Sequence, residues 1–395
     1  MNSRIGIGLI GAGWAAGIHA RGYQHASDLG ARVVAVAAKH QGRAEAFAAR
    51  YDIPTFSDNA MSVIASPEVD IVDLTVPNVH HHAMAVAAAR AGKHIICEKP
   101  LAGFFGPGAT TRTEMLEQAL RNADSMVEAA LANGVKLMYA ENLIYAPAVA
   151  KARRLIEASG SVLLEIRGEE SHSGSHASYA KSWRESGGGS LLRLGTHPIG
   201  VALHLKRCEG MRRSGVPVRP ASVVAEVGCL TKIPAFQAED LPWLVKDWDD
   251  VEDWSSVILT FSDGSRGSFI ATDTLLGGMR DRLEFSLGNA HIICDLTHSG
   301  QVRAYAPDPA VFATEYLAEK LETTAGWSFV SLEEEWTLGY PHELRDFVEA
   351  VAKDRPPISD ADLGRDVLNV IYSAYLSAAE GRRVSVNAAA GTRPV

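Results

Sequence analysis

The sequence predicts an α/β protein of two domains, because its first third follows a different pattern from the rest of the chain. In that third, short β-branched runs alternate with helical patterns, which is typical of βαβ units and a doubly wound parallel sheet. The predicted strands are 5–11, 33–38, 69–76, 94–99 and 135–141. The predicted helices are 14–28, 41–50, 80–91 and 114–133.

The remaining two thirds predict an α/β domain with an open, mostly antiparallel sheet. Strand-like runs cover 162–171, 222–230, 253–273 and 283–295, and helical patterns return at 341–354 and 361–381. Within the third run, FSDGSRGS places an Asp-Gly turn between two alternating strands, which predicts a hairpin. A chain of 395 residues exceeds one ordinary core. We therefore predict one domain at 1–142 and another at 143–395, whose last helices pack back.

Composition excludes several classes of protein. The net charge is −9, whereas a nucleic-acid-binding surface needs clustered Lys and Arg. No apolar run is long enough to cross a membrane, and the N-terminus lacks a signal-peptide layout. The four cysteines are widely spaced, which argues against a disulfide framework or a structural zinc site. We therefore expect a cytoplasmic protein without nucleic-acid or membrane partners.

The segment GLIGAGWAAGIHA contains G-x-G-x-x-A at Gly11, Gly13 and Ala16, after a predicted strand and at the start of a predicted helix. The first glycine permits a tight turn, and the second lets the backbone approach a pyrophosphate. The small third residue allows close packing of helix and strand, and the helix N-terminus attracts the phosphate charge. This context predicts a Rossmann dinucleotide site, with Ala12, Trp14 and Ala15 in the same turn.

The end of the second predicted strand bears on the choice of dinucleotide. An acidic residue there usually binds the ribose hydroxyls of NAD, but this strand ends in Ala37-Ala38-Lys39-His40. Lys39 favours NADP weakly, because its charge suits a 2′-phosphate. A lysine at a strand end is also an ordinary solvated residue, so NAD and NADP both remain open.

Several motifs together give the chain a family resemblance. GAGWAAGIHA (11–20), TVPNVHH (75–81), AGKHIICEKP (91–100) and the helical segment 340–384 resemble the Gfo/Idh/MocA oxidoreductases. The resemblance implies a Rossmann domain, a second α/β domain with an open antiparallel sheet, and a nicotinamide cofactor. It also implies a sugar, cyclitol or related polyol as substrate.

The resemblance assigns roles to particular residues. Lys99 matches the lysine of the family's Glu-Lys-Pro motif, which lies near the nicotinamide, and it would accept a proton or hold the substrate hydroxyl. His197 matches a family histidine that serves as acid or base near the reacting carbon. The remaining residues implied to line the cofactor are Glu98 and Pro77, Asn78 and His81. For the last three, loop architecture is an equally good interpretation.

The segment GGGSLLRLGTH (187–197) departs from the family pattern. Arg193 stands where the family often has aspartate, and Gly200 replaces a second usual aspartate, so the standard proton relay does not transfer. Arg193 either binds an anionic group of the substrate or pairs with a carboxylate, for which Glu141 and Glu170 are candidates.

The segment 168–186 predicts a substrate loop, because it is rich in side chains that bind sugars. The candidate substrate-binding residues, besides Arg193, are Tyr145, His172, His176, Lys181, Trp183 and Arg184. Trp183 could stack on a pyranose, and the cations would suit an anionic sugar. The histidines favour no metal site, since their spacing lies on a Gly/Ser loop. Residues 103–114 form an unusually long link that would serve as a lid or an oligomer contact.

These observations leave three functional hypotheses. The first is an NAD(P)-dependent dehydrogenase acting on a hydroxyl of a sugar, glycoside or cyclitol. The second is a glycosidase with a tightly held NAD, which works by transient ring oxidation, elimination, hydration and re-reduction, for example on a sulfoquinovoside. The third is a regulatory protein without turnover, against which Lys99 and His197 argue. An open sheet also predicts a homo-oligomer.

Overall fold

A computed structural model describes residues 4–106, 110–240, 243–297 and 300–386 of the chain. The chain divides into two compact units. The first comprises Met1–Gly103, Glu117–Tyr145 and Gly339–Arg365, and the second comprises Phe104–Leu116, Ala146–Leu338 and Asp366–Val395. This division differs from a single boundary at residue 142, because residues 339–365 belong to the first unit.

The first unit contains a six-stranded parallel sheet in the order β3-β2-β1-β4-β5-β6. Its strands are β1 (Ile5–Ile10), β2 (Ala31–Ala37), β3 (Thr55–Ser57), β4 (Ile71–Leu74), β5 (His94–Glu98) and β6 (Leu137–Ala140). All six positions of β1 are buried, as the near-continuous apolar run IGIGLI indicates for a central parallel strand. The three-residue strand β3 is too short to have produced a sequence signal.

The helices of the first unit are α1 (Trp14–Gly22), α2 (Gln41–Tyr51), α3 (Ala60–Ile64), α4 (His81–Arg90) and α12 (Tyr340–Ala352). Two further helices, α5 (Arg112–Ala132) and α13 (Ala361–Glu380), contribute residues to both units. The predicted helix 14–28 is shorter than expected, because α1 ends at Gly22 and a 3-10 turn follows to Leu29. Gly30 ends that turn with a φ of 84°, a value that glycine adopts without steric cost.

The second unit contains a seven-stranded sheet in the order β12-β11-β7-β10-β9-β8-β15. Its strands are β7 (Leu163–Ser171), β8 (Pro220–Gly228), β9 (Trp254–Phe261), β10 (Arg266–Thr272), β11 (Arg280–Leu287), β12 (His291–Asp295) and β15 (Val384–Ser385). Every neighbouring pair is antiparallel except β7 and β10, which run parallel. The predicted mostly antiparallel sheet and the β9–β10 hairpin are therefore confirmed.

The remaining elements of the second unit are the hairpin β13 (Arg303–Ala306) and β14 (Gly326–Phe329) and six helices. The helices are α6 (Pro147–Ser159), α7 (Trp183–Ser186), α8 (Ser190–Arg193), α9 (Thr196–Ser214), α10 (Pro234–Gln237) and α11 (Glu334–Thr337). Helix α9 is buried from Thr196 to Lys206 and packs against β7 and β10. Each fully buried Val, Leu or Ile of such a helix stabilises the fold by about 1.5–3 kcal/mol.

Candidate active site

The sequence motifs of the first unit meet at the carboxyl edge of its sheet. Gly11 and Gly13 follow β1, Pro77 follows β4, and Lys99 follows β5. In this sheet, β2 and β3 lie on one side of β1, and β4, β5 and β6 lie on its other side. Ligands of doubly wound sheets bind where the strand order reverses, which is here between β1 and β4.

The two motif glycines are required for different reasons. Gly11 has a φ of +125°, and a Cβ atom there would lie 2.5 Å from the carbonyl oxygen of Thr75. Gly13 begins α1 with ordinary backbone angles, and a Cβ atom there would meet no atom within 4 Å. The open side of Gly13 therefore fits a ligand that approaches the backbone at the N-terminus of a nine-residue helix.

The predicted cofactor residues next to this turn differ in exposure. Trp14 is 62% exposed, and its ring makes an edge contact with Tyr340 at a centroid distance of 6.5 Å. Lys39 is exposed beyond the end of β2. This position fits an ordinary solvated lysine as well as a lysine that contacts a phosphate. Asn78 is buried.

The Glu98-Lys99-Pro100 motif is held in place from two directions. The peptide bond between Lys99 and Pro100 is cis, and the Lys99 amide donates to Oε2 of Glu98 at 2.9 Å. The ring nitrogens of buried His81 lie 2.9 Å from the carbonyl oxygen of Pro100 and 3.0 Å from that of Val76. Burial lowers the pKa of His81, so the neutral ring donates to only one of these carbonyls. This placement favours the architectural interpretation of His81.

Behind the motif lies a buried group of ionisable side chains that the sequence analysis did not identify. Nδ1 of His19 lies 2.8 Å from Oδ2 of Asp73, and its Nε2 lies 3.2 Å from Oε1 of Glu98. The hydroxyl of Tyr23 donates to the same Asp73 oxygen at 2.6 Å. A clue was present in the sequence, because His19 stands within the motif segment GAGWAAGIHA and Asp73 interrupts an apolar strand.

In the second unit, His197 and Arg193 lie on different helices. Helix α8 ends at Arg193 and α9 begins at Thr196, so the break between them falls at Leu194 and Gly195. His197 is buried, and its Nε2 lies 3.9 Å from Oε2 of the buried Glu170 on β7. A histidine near a carboxylate is suited to hold and move a proton.

Arg193 pairs with a carboxylate, as one of the two hypotheses predicted, but the partner is neither Glu141 nor Glu170. Its guanidinium pairs with Asp273 at the end of β10, with Nη1 3.4 Å from Oδ1 and a shorter contact from Nη2 to Oδ2. It also lies over the ring of Trp248, 4.9 Å from the centroid. Burial raises the pKa of Asp273 and the arginine opposes this rise only in part. The long sequence separation from Asp273 concealed this partner.

The glycine run 187–189, which precedes α8, is held by a hydrogen-bond acceptor from a distant part of the chain. Glu252 accepts hydrogen bonds from the amides of Gly189 at 3.0 Å and Leu191 at 2.9 Å, and from the hydroxyl of Tyr375 at 2.8 Å. Gly189 is required there, because a Cβ atom would lie 1.9 Å from the carbonyl oxygen of Glu252. The buried glutamate therefore anchors the start of the helix that carries Arg193.

The predicted substrate residues of the second unit are only partly brought together. His172 is buried, with Nδ1 3.5 Å from Oδ1 of Asp273, while His176 and Arg184 are exposed. Lys181 forms an ion pair with Asp247.

Trp183 and Tyr145 are buried in packing interactions. The indole nitrogen of Trp183 donates to the carbonyl oxygen of Phe104 at 3.1 Å, and its ring packs against Tyr375 and under Arg112. In the first unit, the hydroxyl of Tyr145 donates to Oδ2 of Asp346 at 2.8 Å. These placements favour packing roles over the predicted contacts with a sugar.

The long link at 103–114 is partly described. The Phe104 side chain is buried, and its amide donates to the hydroxyl of Tyr372 at 2.7 Å, so this part of the link is anchored within the second unit. Residues 107–109, which include the Pro-Gly of the predicted lid, lie outside the described residues.

The described residues also bear on two other classes of site. No group of three or more His, Cys, Asp or Glu side chains in the described ranges is arranged to hold a metal ion. Among the helices that the structure describes, none combines the length and apolarity that a membrane span requires. All four cysteines are free thiols.

A parallel sheet with a glycine turn at its switch point defines a dinucleotide-binding Rossmann domain, which this chain combines with a second α/β domain. Residues 5–140 match the Rossmann domain of an oxidoreductase family described as NAD-binding, and residues 160–386 match the C-terminal alpha/beta domain of that family. The chain belongs to this family, Gfo/Idh/MocA, and the predicted fold class is confirmed.

Curated relatives include several dehydrogenases. Levoglucosan dehydrogenase of Pseudarthrobacter phenanthrenivorans is 30% identical over 286 residues, which cover 68% of this chain and 67% of that protein. Trans-1,2-dihydrobenzene-1,2-diol dehydrogenase of Bos taurus is 31% identical over 168 residues. That second match covers 42% of this chain and 45% of the relative, less than half of either.

Solved structures share the fold across nearly the whole chain. GenD2 from gentamicin A biosynthesis, in complex with NAD, has a TM-score of 0.80 at 24% identity and covers 98% of this chain and 97% of that one. Levoglucosan dehydrogenase in complex with NADH has a TM-score of 0.74 at 24% identity, covering 98% and 100%.

The two motif glycines provide a matched pair of tests for the cofactor site. Gly13→Ala is expected to weaken NADH binding by about tenfold, because the new methyl occupies the approach of the pyrophosphate. Its urea midpoint stays at the wild-type value, since that methyl meets no protein atom. Gly11→Ala is expected to destabilise the fold by about 1–3 kcal/mol, because of its positive φ. Fluorescence titration and urea unfolding measure both effects, and unchanged NADH affinity in Gly13→Ala would contradict this placement.

Proposed function

We propose that this protein is an NAD-dependent dehydrogenase that oxidises a ring hydroxyl of a sugar, glycoside or cyclitol. The observation that carries the proposal is the Glu98-Lys99-Pro100 motif at the carboxyl end of β5, on the same sheet edge as the glycine turn. The relationship to levoglucosan dehydrogenase supports a carbohydrate substrate. Lys99 supplies an amine side chain at the edge where dinucleotides bind.

The chemistry divides between the cofactor and the chain. Oxidation of an alcohol removes a hydride from carbon and a proton from oxygen, and NAD supplies the hydride acceptor. Lys99 binds the hydroxyl oxygen and takes part in moving its proton. His197, beside Glu170, is the second group that can hold a proton. The two residues are separate candidates for the general base.

We further propose a neutral substrate. The anionic-substrate hypothesis rested on three cations, and two of them already have carboxylate partners. Arg193 pairs with buried Asp273, and Lys181 pairs with Asp247. An anionic ligand would have to compete with a buried carboxylate for the Arg193 fork. Arg184 is exposed and lies outside both pairs.

We propose NAD rather than NADP as the working cofactor, in a cytoplasmic homo-oligomer. Lys39 is exposed, and two similar solved structures, GenD2 and levoglucosan dehydrogenase, contain NAD and NADH respectively. One face of the seven-stranded sheet exposes Ile258, Ile270 and Ile293. Association through such a face would remove these side chains from water.

The function is tested by incubating the enzyme with NAD or NADP and a panel of carbohydrates. The panel contains levoglucosan, myo-inositol, free aldoses, and neutral and anionic nitrophenyl glycosides. We expect NADH to form in proportion to the substrate oxidised, with a neutral sugar preferred and NAD preferred over NADP. Aglycone release with catalytic NAD and no net NADH would replace the dehydrogenase with the glycosidase mechanism. Absence of turnover throughout the panel would contradict the proposed function.

A further inference from the structure

We propose that His19 is a positioning residue, which fixes Glu98 and, through it, Lys99 by carrying a positive charge shared between Asp73 and Glu98. The proposal rests on the proposed function, because it gives Lys99 its catalytic setting. It concerns only residues of the first unit. His19 lies on α1, the helix that begins at the cofactor turn, while Asp73 is on β4 and Glu98 ends β5.

The geometry makes His19 the link between three elements. Both ring nitrogens face carboxylate oxygens, at 2.8 Å from Asp73 and 3.2 Å from Glu98. A neutral imidazole that donates to Asp73 would turn the lone pair of Nε2 towards Glu98, whereas an imidazolium makes a hydrogen bond to Asp73 and an ion pair with Glu98. The other oxygen of Glu98 accepts the Lys99 amide at 2.9 Å. The imidazolium therefore fixes the orientation of the carboxylate that holds the Lys99 backbone.

Burial makes this charge necessary. His19 and Asp73 are fully buried, and two facing carboxylates without a cation would repel each other in a region of low dielectric. Burial lowers the pKa of His19, but Asp73 and Glu98 together raise it well above its ordinary value. Burial raises the pKa of Glu98, and His19 more than offsets this effect, so the net pKa is lowered. His19 and Glu98 therefore stabilise each other in their charged forms.

The other titratable groups around His19 do not supply a positive charge that could replace the imidazolium. The hydroxyl of Tyr23 donates to Asp73. Burial, and after it the Asp73 carboxylate, raises the pKa of Tyr23, so the Tyr23 side chain stays neutral. Glu343 on α12 is fully buried, and its oxygens have no hydrogen-bond partner in the described part of the chain. Burial, with the nearby carboxylates, raises the pKa of Glu343 well above its ordinary value, which keeps it protonated. The cluster thus contains one cation, two anions and a neutral acid.

The test compares His19→Gln with a matched control. The glutamine side chain would remain polar but could not carry the charge, so burial would raise the pKa of Glu98 with Lys99, and no longer His19, opposing the rise. We expect kcat to fall by about 10- to 100-fold, because Lys99 loses its fixed position. We expect NADH affinity to stay within about threefold of wild type, since the glycine turn is unchanged. The control is His82→Gln, a half-buried histidine on α4 that bonds Ser125, which we expect to leave kcat unchanged.

The pH profile separates positioning from a purely structural role. In His19→Gln, the protonated Glu98 ionises as the pH rises through its raised pKa, so kcat should increase with pH between about 5 and 8. The wild-type enzyme should lack this ionisation, because its Glu98 pKa lies below that range. An unchanged kcat and profile in the variant would overturn the proposal. So would a parallel loss of kcat, NADH binding and urea midpoint.

A second variant keeps the test decisive if His19→Gln folds poorly. His19→Gln/Asp73→Asn removes one cation and one anion, so the net buried charge of the cluster equals that of wild type once Glu98 is ionised. We expect its urea midpoint to recover while the low kcat and the new pH dependence persist, because Glu98 still lacks its cation. Recovery of kcat together with stability would show that His19 is only structural.

A spectroscopic measurement distinguishes failure of this inference from failure of the proposed function. Nitrogen NMR of the wild-type protein, without any substrate, should show the His19 ring as an imidazolium at pH 8. A neutral ring at pH 7 would overturn the inference whatever the enzyme oxidises. An imidazolium in a protein that oxidises no carbohydrate would instead contradict the proposed function alone.

Discussion

Replacing Lys99 by methionine is expected to lower kcat by about 10²- to 10⁴-fold, the contribution that a positioned acid or base makes to proton transfer. Methionine keeps most of the apolar stem but removes the charge and the hydrogen bonds to the substrate oxygen. The Lys99 amide would still donate to Glu98, so the backbone at the motif should keep its position. Steady-state kinetics on the best substrate of the panel measures the effect.

The control for this variant is Lys151→Met, which removes an exposed lysine of α6 and should leave kcat unchanged. NADH affinity of Lys99→Met is expected to stay within about threefold of wild type, because the glycine turn and α1 supply the phosphate contacts. A kcat within threefold of wild type would remove Lys99 from the mechanism. A loss of NADH binding with unchanged kcat at saturation would make it a cofactor contact only.

Replacing Arg193 by methionine is expected to destabilise the protein by about 3–5 kcal/mol, because Asp273 would be left as an unpaired buried charge. Both members of the pair are buried, and the ring of Trp248 covers the guanidinium. Urea unfolding followed by fluorescence measures the change. The loss of stability should be smaller at low pH, because protonation of Asp273 removes the unpaired charge. Burial already raises the pKa of Asp273, which favours this protonation.

The matched control is Arg153→Met, which breaks a half-exposed pair with Glu157 on α6. Exposed pairs of this kind contribute about 0.3–0.5 kcal/mol, so the control should hardly change the urea midpoint. In the double variant Arg193→Met/Asp273→Asn, much of the lost stability should return, since no buried charge then lacks a partner. A cost below about 1 kcal/mol for Arg193→Met, with selective loss of activity on anionic glycosides, would instead make Arg193 a substrate contact.

Much of the fold was predictable because the signals are local. The strand–turn–helix at 5–20 carries its glycines, its apolar strand and its helix start within sixteen residues. The Asp-Gly turn at 263–264 likewise joins two alternating strands that pair as a hairpin. The three-residue β3 and the parallel pairing of β7 with β10 were not predictable, because a short strand and a long-range partner leave no periodic pattern.

The site was predictable only as far as its motifs are continuous in sequence. The dinucleotide turn follows from residue types at a fixed spacing, whereas the Glu98-Lys99-Pro100 motif and the anomaly at Arg193 follow from the family resemblance of the sequence. The carboxylate partners of the buried cations emerged only from the fold. Asp273 is 80 residues from Arg193 and Asp73 is 54 residues from His19, and the packing of separate strands and helices brings these charges together. A buried charge needs a counter-charge, which can come from any element that packs against it. The spacing of residues along the chain therefore does not identify the partner.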